Sequence, residues 1–160
     1  MIDPKTARRA RAAALAIAIA APAEGLRQYA YYDPPGILTV CAGHTGAGIE
    51  KGRKYSLAEC DDFLTADMKQ AIAIVDRCVP NLPEPMLAAF GDAVFNLGPT
   101  VACNKQKSTA ARFLAAGEFA AACNQLPRWN KARVLGVTVA LPGLTTRREK
   151  ERQLCLEGVT

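Results

Sequence analysis

One largely apolar stretch, residues 85–97, reads PMLAAFGDAVFNL. Its length and its apolar composition predict a central helix surrounded by the rest of the core, and Gly98-Pro99 predicts where that helix ends. The chain of 160 residues is long enough to bury such a core in one domain. Half of the residues are hydrophobic and 22% are charged, which excludes a wholly disordered chain.

Helices are predicted on the C-terminal and N-terminal sides of this stretch. Ser56 begins one of them, because Glu59 follows at the spacing of a capping box and apolar residues recur at helical spacing to about Arg77. The other predicted helices cover residues 108–116, 118–125 and 145–156, the last of them capped by Thr145 or Thr146.

Residues 1–30 are also predicted to be helical, since no glycine occurs before Gly25. From residue 31 to residue 52, prolines and glycines separate short runs such as Ile37–Cys41, which predicts turns and one small sheet at most. The expected fold class is mainly α (α+β), with a small β patch near the N-terminus.

Residues 12–23, AAALAIAIAAPA, are uncharged and follow four Lys or Arg residues within residues 5–11. This order is typical of exported proteins. As a helix the stretch spans about 18 Å, short of the ~30 Å of a hydrocarbon core, and no longer apolar run exists, which excludes a polytopic membrane protein. Three interpretations remain open: a signal peptide cleaved after Ala21-Pro22-Ala23, a weak uncleaved span, or the first helix of a soluble domain.

The cysteines indicate an oxidising compartment. There are six, none in a C-x-x-C arrangement, and the chain has one histidine, so a zinc site has little support and no metal or cofactor is predicted. An even number of dispersed cysteines favours three disulfides, with six buried thiols in a cytosolic protein as the alternative. The residues are Cys41, Cys60, Cys78, Cys103, Cys123 and Cys155.

The net charge of +5 does not indicate a nucleic-acid partner. A nucleic-acid binder needs a clustered basic stripe, whereas the basic residues here are dispersed except at 5–11 and 147–152. Glu149 and Glu151 interleave the second cluster, which predicts an ion-paired helix face.

Three polar residues follow the predicted first helix: Glu24 near its end, Asp33 in a turn and Thr39 in a strand. Such elements can fold around one cleft. Glycoside hydrolysis needs one carboxylic acid to protonate the leaving oxygen and one carboxylate to activate water. The apolar neighbours of Glu24 suit the acid, and the polar turn of Asp33 suits the carboxylate. The spacing alone is weak evidence, because such pairs are common by chance.

The order Glu24-Gly25-Leu26-Arg27, Asp33, Thr39, Gly43-His44 closely resembles the catalytic segment of phage-type lysozymes, the muramidases of glycoside hydrolase family twenty-four. The resemblance covers residues 20–157 and points to the lambdoid branch. It implies a lysozyme-like two-lobe domain with a small sheet near the N-terminus and a helical C-terminal lobe. Further matching motifs are Cys41–Gly46, Lys54–Cys60, Phe95–Gly98, Arg128-Trp129, Pro142–Leu144 and Arg147–Glu149.

The resemblance implies a phage endolysin that hydrolyses the β-1,4 bond between N-acetylmuramic acid and N-acetylglucosamine in peptidoglycan and so lyses the host. Glu24 is implied as the general acid, and Asp33 positions the nucleophilic water with help from Thr39 in an inverting reaction. The other implied roles are Arg147 orienting Glu24, His44 as a structural histidine of the small lobe, and Phe95 and Asn96 lining the sugar groove.

The N-terminus resembles that of signal-arrest-release endolysins, in which a weakly hydrophobic, uncleaved segment tethers the inactive enzyme to the inner membrane and later refolds into the domain. This divides the chain into a signal-arrest-release segment, residues 1–23, and a catalytic domain, residues 24–160. It implies transient membrane association through residues 12–23 and a monomeric enzyme in the host periplasm. It also implies the cysteine pairs Cys41–Cys60, Cys123–Cys155 and Cys78–Cys103.

Two other functions compete with hydrolysis. One is a lysis accessory that binds peptidoglycan or acts on the membrane without cleaving a bond. The other is a lytic transglycosylase, which leaves anhydro sugar ends; a second carboxylate such as Asp33 argues against it, since that chemistry can proceed with one.

Overall fold

The computed structural model describes all 160 residues. The helices are α1 (Pro4–Ala23), α2 (Leu57–Cys78), α3 (Glu84–Leu97), α4 (Thr100–Cys103), α5 (Thr109–Ala116), α6 (Phe119–Cys123) and α7 (Pro142–Glu157), with a 3-10 turn at Leu126–Trp129. The strands are β1 (Arg27–Tyr32), β2 (Leu38–Cys41), β3 (His44–Thr45), β4 (Lys131–Val134) and β5 (Val137–Ala140). The first three strands form one antiparallel sheet, and β4 and β5 form a separate hairpin.

Helix α3 lies at the centre of the helical lobe, as its sequence predicts. Every residue from Met86 to Val94 is buried, and α1, α2 and α7 all pack against it. The helix is apolar on all sides because it has no solvent-facing side, apart from its last turn. The mainly α fold with a small sheet near the N-terminus is confirmed.

Helix α2 joins the small sheet to the helical lobe. Ser56 caps it as predicted: its hydroxyl accepts from the Glu59 backbone at 3.0 Å, and the Glu59 carboxylate accepts from the Ser56 backbone at 2.7 Å. The N-terminus of α2 therefore lies where the local sequence predicts it.

Two predicted helix boundaries are wrong. The first helix ends at Ala23, so the placement of Glu24 at its end is confirmed and the bound near residue 30 is wrong. Glu24 has an extended backbone, and residues from Arg27 onward pair with β2. The last helix begins at Pro142 rather than Thr145, since proline at the first helical position is preorganised for a helix. The hydroxyl of Thr145 donates to the Leu141 carbonyl instead of capping the helix.

The hairpin β4–β5 and the short helix α4 were not predicted. The sequence indicated only one β patch, near the N-terminus, whereas a second lies directly before α7. The two strands are four residues each, too short for their alternation to stand out in the sequence.

Helix α1 belongs to the same hydrophobic core as the rest of the lobe. Its buried residues include Ala12, Ala16 and Ala20, whose small side chains allow close approach to α3. In this structure residues 1–23 and 24–160 share that core, so their division into two units stays a prediction. None of the helices combines the length and apolar composition that a membrane span requires.

The basic residues of α1 fix it to α2 and α3. Arg8 and Arg9 both bind Asp76, Arg9 at 2.6 Å, and Arg8 also donates to the Leu82 carbonyl at 2.6 Å. Asp76 is buried, whereas the pair between Arg11 and Glu84 lies at the surface. The ion pairs at Asp76 therefore hold the first turns of α1, which precede its buried alanines.

All six cysteines are paired, and the three expected disulfides are confirmed. Cys41–Cys60 joins β2 to α2, Cys78–Cys103 joins α2 to α4, and Cys123–Cys155 joins α6 to α7. The alternative of six buried thiols is wrong.

We predict that Asp76→Asn lowers the free energy of unfolding by about 1–3 kcal/mol at pH 7, because two arginines lose a charged acceptor. Burial alone would raise the pKa of Asp76, but the hydrogen bonds from Arg9 and Arg8 outweigh it and lower that pKa. A carboxyl with a lowered pKa stabilises the fold above its ordinary value of 3.8 and loses this effect as the pH falls.

Urea unfolding with the disulfides intact measures this effect. The difference between wild type and Asp76→Asn should shrink as the pH falls below about 4. Glu84→Gln, which removes the exposed partner of Arg11, is the control and should cost under about 1 kcal/mol. Equal effects of the two variants at pH 7 would contradict the prediction.

Candidate active site

A cleft with a cavity of about 400 Å³ lies between the small sheet, α2 and the C-terminal end of α3. Glu24 stands at the junction between α1 and β1, and Gly43 lies between β2 and β3. Asp67 and Gln70 come from α2, and Phe95 and Asn96 from the last turn of α3. The three walls meet only because α2 carries the sheet at one end and packs against α3 along its length.

Glu24 caps the C-terminal end of α1, and its backbone N–H bonds the Ala20 carbonyl at 2.9 Å. Its Oε1 accepts from Arg147 Nη1 at 2.6 Å. Its Oε2 faces Gly43, where an added Cβ would lie 3.7 Å away. One oxygen is thus held by the protein, while the other faces the cavity.

The apolar surroundings predicted for Glu24 are wrong. Ala21, Ala23 and Leu26 are exposed, so they do not enclose the carboxyl group. The chain turns from helix to strand at Glu24, and this turn separates the carboxyl from its sequence neighbours. The group nearest to it is a guanidinium from the other end of the chain.

Arg147 joins three helices behind Glu24. Its Nε and Nη2 donate to both oxygens of Asp92, at 2.9 and 2.8 Å, while Nη1 donates to Glu24. Burial alone would lower the pKa of Arg147, but the bonds and charges of Asp92 and Glu24 outweigh it and raise that pKa. Arg147 is therefore a permanent cation in a fixed orientation.

A second buried pair adjoins this cluster. Arg148 donates to Glu151 Oε1 at 2.7 Å, and neither side chain has any exposed surface. Burial raises the pKa of Glu151, a hydrogen bond with Asp92 adds to this rise, and burial lowers the pKa of Arg148. Protonated Glu151 can donate its proton to Asp92. The ion pairs predicted within residues 147–152 are present, as Arg148–Glu151 and Arg152–Glu149, and three of the charged residues are buried.

Asp33 and Thr39 lie on the hairpin formed by β1 and β2 and do not line the cavity. Asp33 Oδ1 accepts from the Ile37 backbone at 2.8 Å, and the Thr39 hydroxyl donates to the Ile37 carbonyl at 3.0 Å. Both side chains therefore fix the turn that joins the strands. β2 continues directly into Ala42 and Gly43, which do line the cavity.

His44 connects β3 to α2. Its Nδ1 lies 2.8 Å from Asp67 Oδ2, and its ring stacks on Phe63 with centroids 4.0 Å apart. It therefore fixes the sheet against the helix that forms the opposite wall of the cleft.

Sequence reasoning missed Asp92, Glu151, Asp67 and Gln70. For Asp92 a signal was present, because it is the one charged residue between Met86 and Leu97 and a buried charge needs a partner. No such signal marked the other three, since charged and amide residues are common on helices.

We predict that Glu151→Gln becomes progressively more stable relative to wild type as the pH rises. A carboxyl whose pKa is raised by folding stabilises the protein below its ordinary value of 4.5, and this contribution is lost as the pH rises through the folded value. Glutamine has nearly the same shape as protonated Glu151, is also neutral and can also donate a hydrogen bond. The relative gain is about 1.4 kcal/mol for each unit of pKa difference.

Urea unfolding at several values between pH 5 and pH 8 measures the gain. Glu149→Gln, on the exposed side of the same helix, is the matched control and should show no such trend. A pH-independent difference between wild type and Glu151→Gln would contradict a buried, proton-bearing Glu151.

Comparison with known proteins identifies the family. The model of the phage lysozyme family matches residues 21–151. The SAR-endolysin of Bacteriophage PS119 is 38% identical over 136 residues, covering 84% of this chain and 77% of that protein. The SAR-endolysin of Escherichia phage Mu is 41% identical over 132 residues, covering 80% and 71%.

Solved structures agree in fold. The active form of the P1 phage endolysin Lyz has a TM-score of 0.69 at 29% identity, covering 91% of this chain and 85% of that one. The endolysin from Escherichia coli O157:H7 phage FAHEc1 has a TM-score of 0.75 at 26% identity, covering 91% and 92%. The match to the family model and the identity to these relatives show that the chain belongs to the phage lysozyme family.

Proposed function

We propose that Glu24 is the general acid of this enzyme and that the cleft beside it binds the glycan strand of peptidoglycan. The chain is a phage endolysin, a muramidase that hydrolyses peptidoglycan in host lysis. The observation that carries the proposal for Glu24 is its position at the mouth of the cleft, with one oxygen on Arg147 and the other facing the cavity.

The environment of Glu24 suits proton donation to a glycosidic oxygen. Oε2 faces the cavity and can carry the proton, while Arg147 holds Oε1 and stabilises the carboxylate left after transfer. Two of the hydrogen bonds of Arg147 go to Asp92, whose charge balances that of the guanidinium. Arg147 can therefore orient the Glu24 carboxyl group while Asp92 offsets the positive charge of the guanidinium.

Asp33 is proposed to position the attacking water from the β1–β2 hairpin, with help from Thr39, in an inverting hydrolysis. The Ile37 backbone engages Oδ1 of Asp33, which leaves Oδ2 to accept from water. The Thr39 hydroxyl donates its proton to the Ile37 carbonyl, so it can bind a water only as a hydrogen-bond acceptor.

Phe95 and Asn96 are proposed to bind the sugar rings. Both line the cavity, and the buried Asn96 Oδ1 has no hydrogen-bond partner within the protein. A sugar hydroxyl or acetamido group entering the cleft would satisfy that oxygen after a small side-chain movement. Gln70 and Asp67 on the facing wall present further polar groups to the same strand.

We predict that Glu24→Gln lowers the rate of turbidity loss of purified Gram-negative murein sacculi by about 100-fold or more, because glutamine cannot donate a carboxyl proton. Glu50→Gln, an exposed residue of the same lobe, is the matched control and should clear sacculi at the wild-type rate. Co-sedimentation should show that the Glu24 variant still binds sacculi.

Other outcomes point to the competing functions. Equal clearing by the Glu24 variant would identify a lysis accessory that acts without hydrolysis. Mass analysis of the sugars released by wild type separates the two enzymatic reactions, since hydrolysis yields reducing ends and a transglycosylase yields anhydro ends.

We also infer that residues 12–23 tether the newly made chain to the inner membrane before it acts in the periplasm. The basic residues before the stretch, its weak apolarity and the SAR-endolysin relatives support this. Glu24 directly follows the stretch, and its partner Arg147 lies on α7. A chain with α1 in the membrane would therefore hold the acid away from the arginine that orients it.

We predict that Ala14→Leu with Ala18→Leu delays release from the membrane in cells. Both alanines are exposed on α1, so leucine there adds apolar area to the tether without entering the core. Ala14→Ser with Ala18→Ser is the matched control and should release more readily. The measurements are membrane and soluble fractions after collapse of the membrane potential, with sacculus clearing by each purified enzyme.

The tether requires that the mature periplasmic protein keeps its N-terminal segment. Intact-mass analysis should therefore find residues 12–23 still attached. A mature protein that begins at Glu24, or identical fractionation of the leucine and serine variants, would overturn the inference.

A further inference from the structure

The hairpin β4–β5 has one apolar face and one basic face. Residues paired across an antiparallel ladder share a face, and successive residues alternate between faces. The pairs Val134–Val137 and Ala132–Val139 therefore form the apolar face. The pairs Arg133–Thr138 and Lys131–Ala140 form the other face, which carries both charges.

Nothing in the protein covers the apolar face. All four residues of β5 are exposed, and in β4 only Ala132 is partly buried. Val137 is 61% exposed and Leu135, at the tip, is 99% exposed. A two-stranded hairpin without packing is marginally stable in water, and a contiguous exposed apolar patch marks an interaction site.

The sequence at the tip of the hairpin is unfavourable for the turn that it forms. Leu135 and Gly136 both have positive φ, 49° and 81°, as in the tight two-residue hairpin turn that favours Asn-Gly. Leucine is disfavoured in that conformation, and full exposure of its side chain adds a solvation cost. A large aliphatic side chain at this position is favourable only if it enters an apolar environment outside the protein.

The charge around the hairpin is entirely positive. No acidic residue occurs between Glu118 and Glu149. The exposed cations of this segment are Arg128, Lys131 and Arg133. An apolar tip beside exposed cations complements a surface that presents hydrocarbon under anionic groups.

We propose that this hairpin docks the folded enzyme on an anionic lipid bilayer, with Leu135 and the valine face in the interfacial region and Lys131 and Arg133 on lipid phosphates. Peptidoglycan fits less well, because its sugars and peptides offer no apolar layer for four large aliphatic side chains. A second copy of this hairpin fits less well too, because residues 119–148 contain no acidic residue that could serve as a partner for Lys131 and Arg133.

The proposed docking and the proposed tether use different segments of the chain and occur in different states of the enzyme. The tether uses residues 12–23 before folding is complete, whereas the hairpin is exposed while α1 lies in the core. The docking does not depend on catalysis by Glu24, so failure of one proposal leaves the other intact.

Vesicle flotation of the purified full-length enzyme tests the docking. The vesicles contain three parts phosphatidylethanolamine to one part phosphatidylglycerol, with pure phosphatidylcholine vesicles for comparison. Wild type should float with the anionic vesicles, and Leu135→Asp should lower the bound fraction about tenfold. Leu57→Asp is the matched control, because Leu57 is another exposed leucine, in the first turn of α2, where an acid is tolerated.

Leu135→Asn separates loss of docking from loss of the hairpin. Asparagine favours the observed turn, so this variant should keep the fold and still lose most of the vesicle binding. All three variants should clear sacculi within about twofold of wild type, since the hairpin does not line the catalytic cavity.

Three results would overturn the proposal. One is absence of wild-type binding to anionic vesicles. Another is equal binding by Leu135→Asp and Leu57→Asp, which would assign membrane contact to another element. The third is a Leu135-dependent dimer or Leu135-dependent binding to sacculi without vesicle binding, which would identify a second copy or peptidoglycan as the occupant.

Discussion

The fold and the active site both depend on the hydrogen bonds of Arg147. This side chain joins α7 to Asp92 in the middle of α3 and to Glu24 at the end of α1. A carboxylate at the centre of the most apolar helix would be strongly destabilising without a partner, so Arg147 is needed for α3 to pack at all. The interaction that makes the core possible is therefore the one that orients the proposed acid.

This arrangement makes the position of α1 decisive for chemistry. Glu24 is the cap of α1, so its carboxyl group reaches Arg147 only when the alanines of that helix pack against α3. Alanine is small enough for close helix contact and only weakly apolar, so the same residues suit a core and a temporary stay in a membrane. The arginines before them bind buried Asp76 in the folded protein and would flank the apolar segment in the proposed tether.

Local sequence predicted the elements whose signals are local. The capping box of Ser56 and the apolar run of residues 85–97 act within a few residues, and both elements formed where expected. The start of β1 and the burial of Arg148 depend on partners farther along the chain, which periodicity does not report. The strands of the β4–β5 hairpin are too short for their alternation to stand out. The resemblance to a known family supplied the disulfide pairs and the contact between Arg147 and Glu24, which composition and spacing alone left open.

Asp92 explains how the charge of Arg147 is balanced behind the cleft. Nε and Nη2 of Arg147 donate to Asp92, and its third donor, Nη1, reaches Glu24. Because two of its donors engage Asp92, the guanidinium is largely neutralised before it meets Glu24. Burial raises the pKa of Glu151, so a protonated Glu151 adds no further negative charge to this buried cluster. The buried side chains behind the cleft thus set the charge that Glu24 experiences.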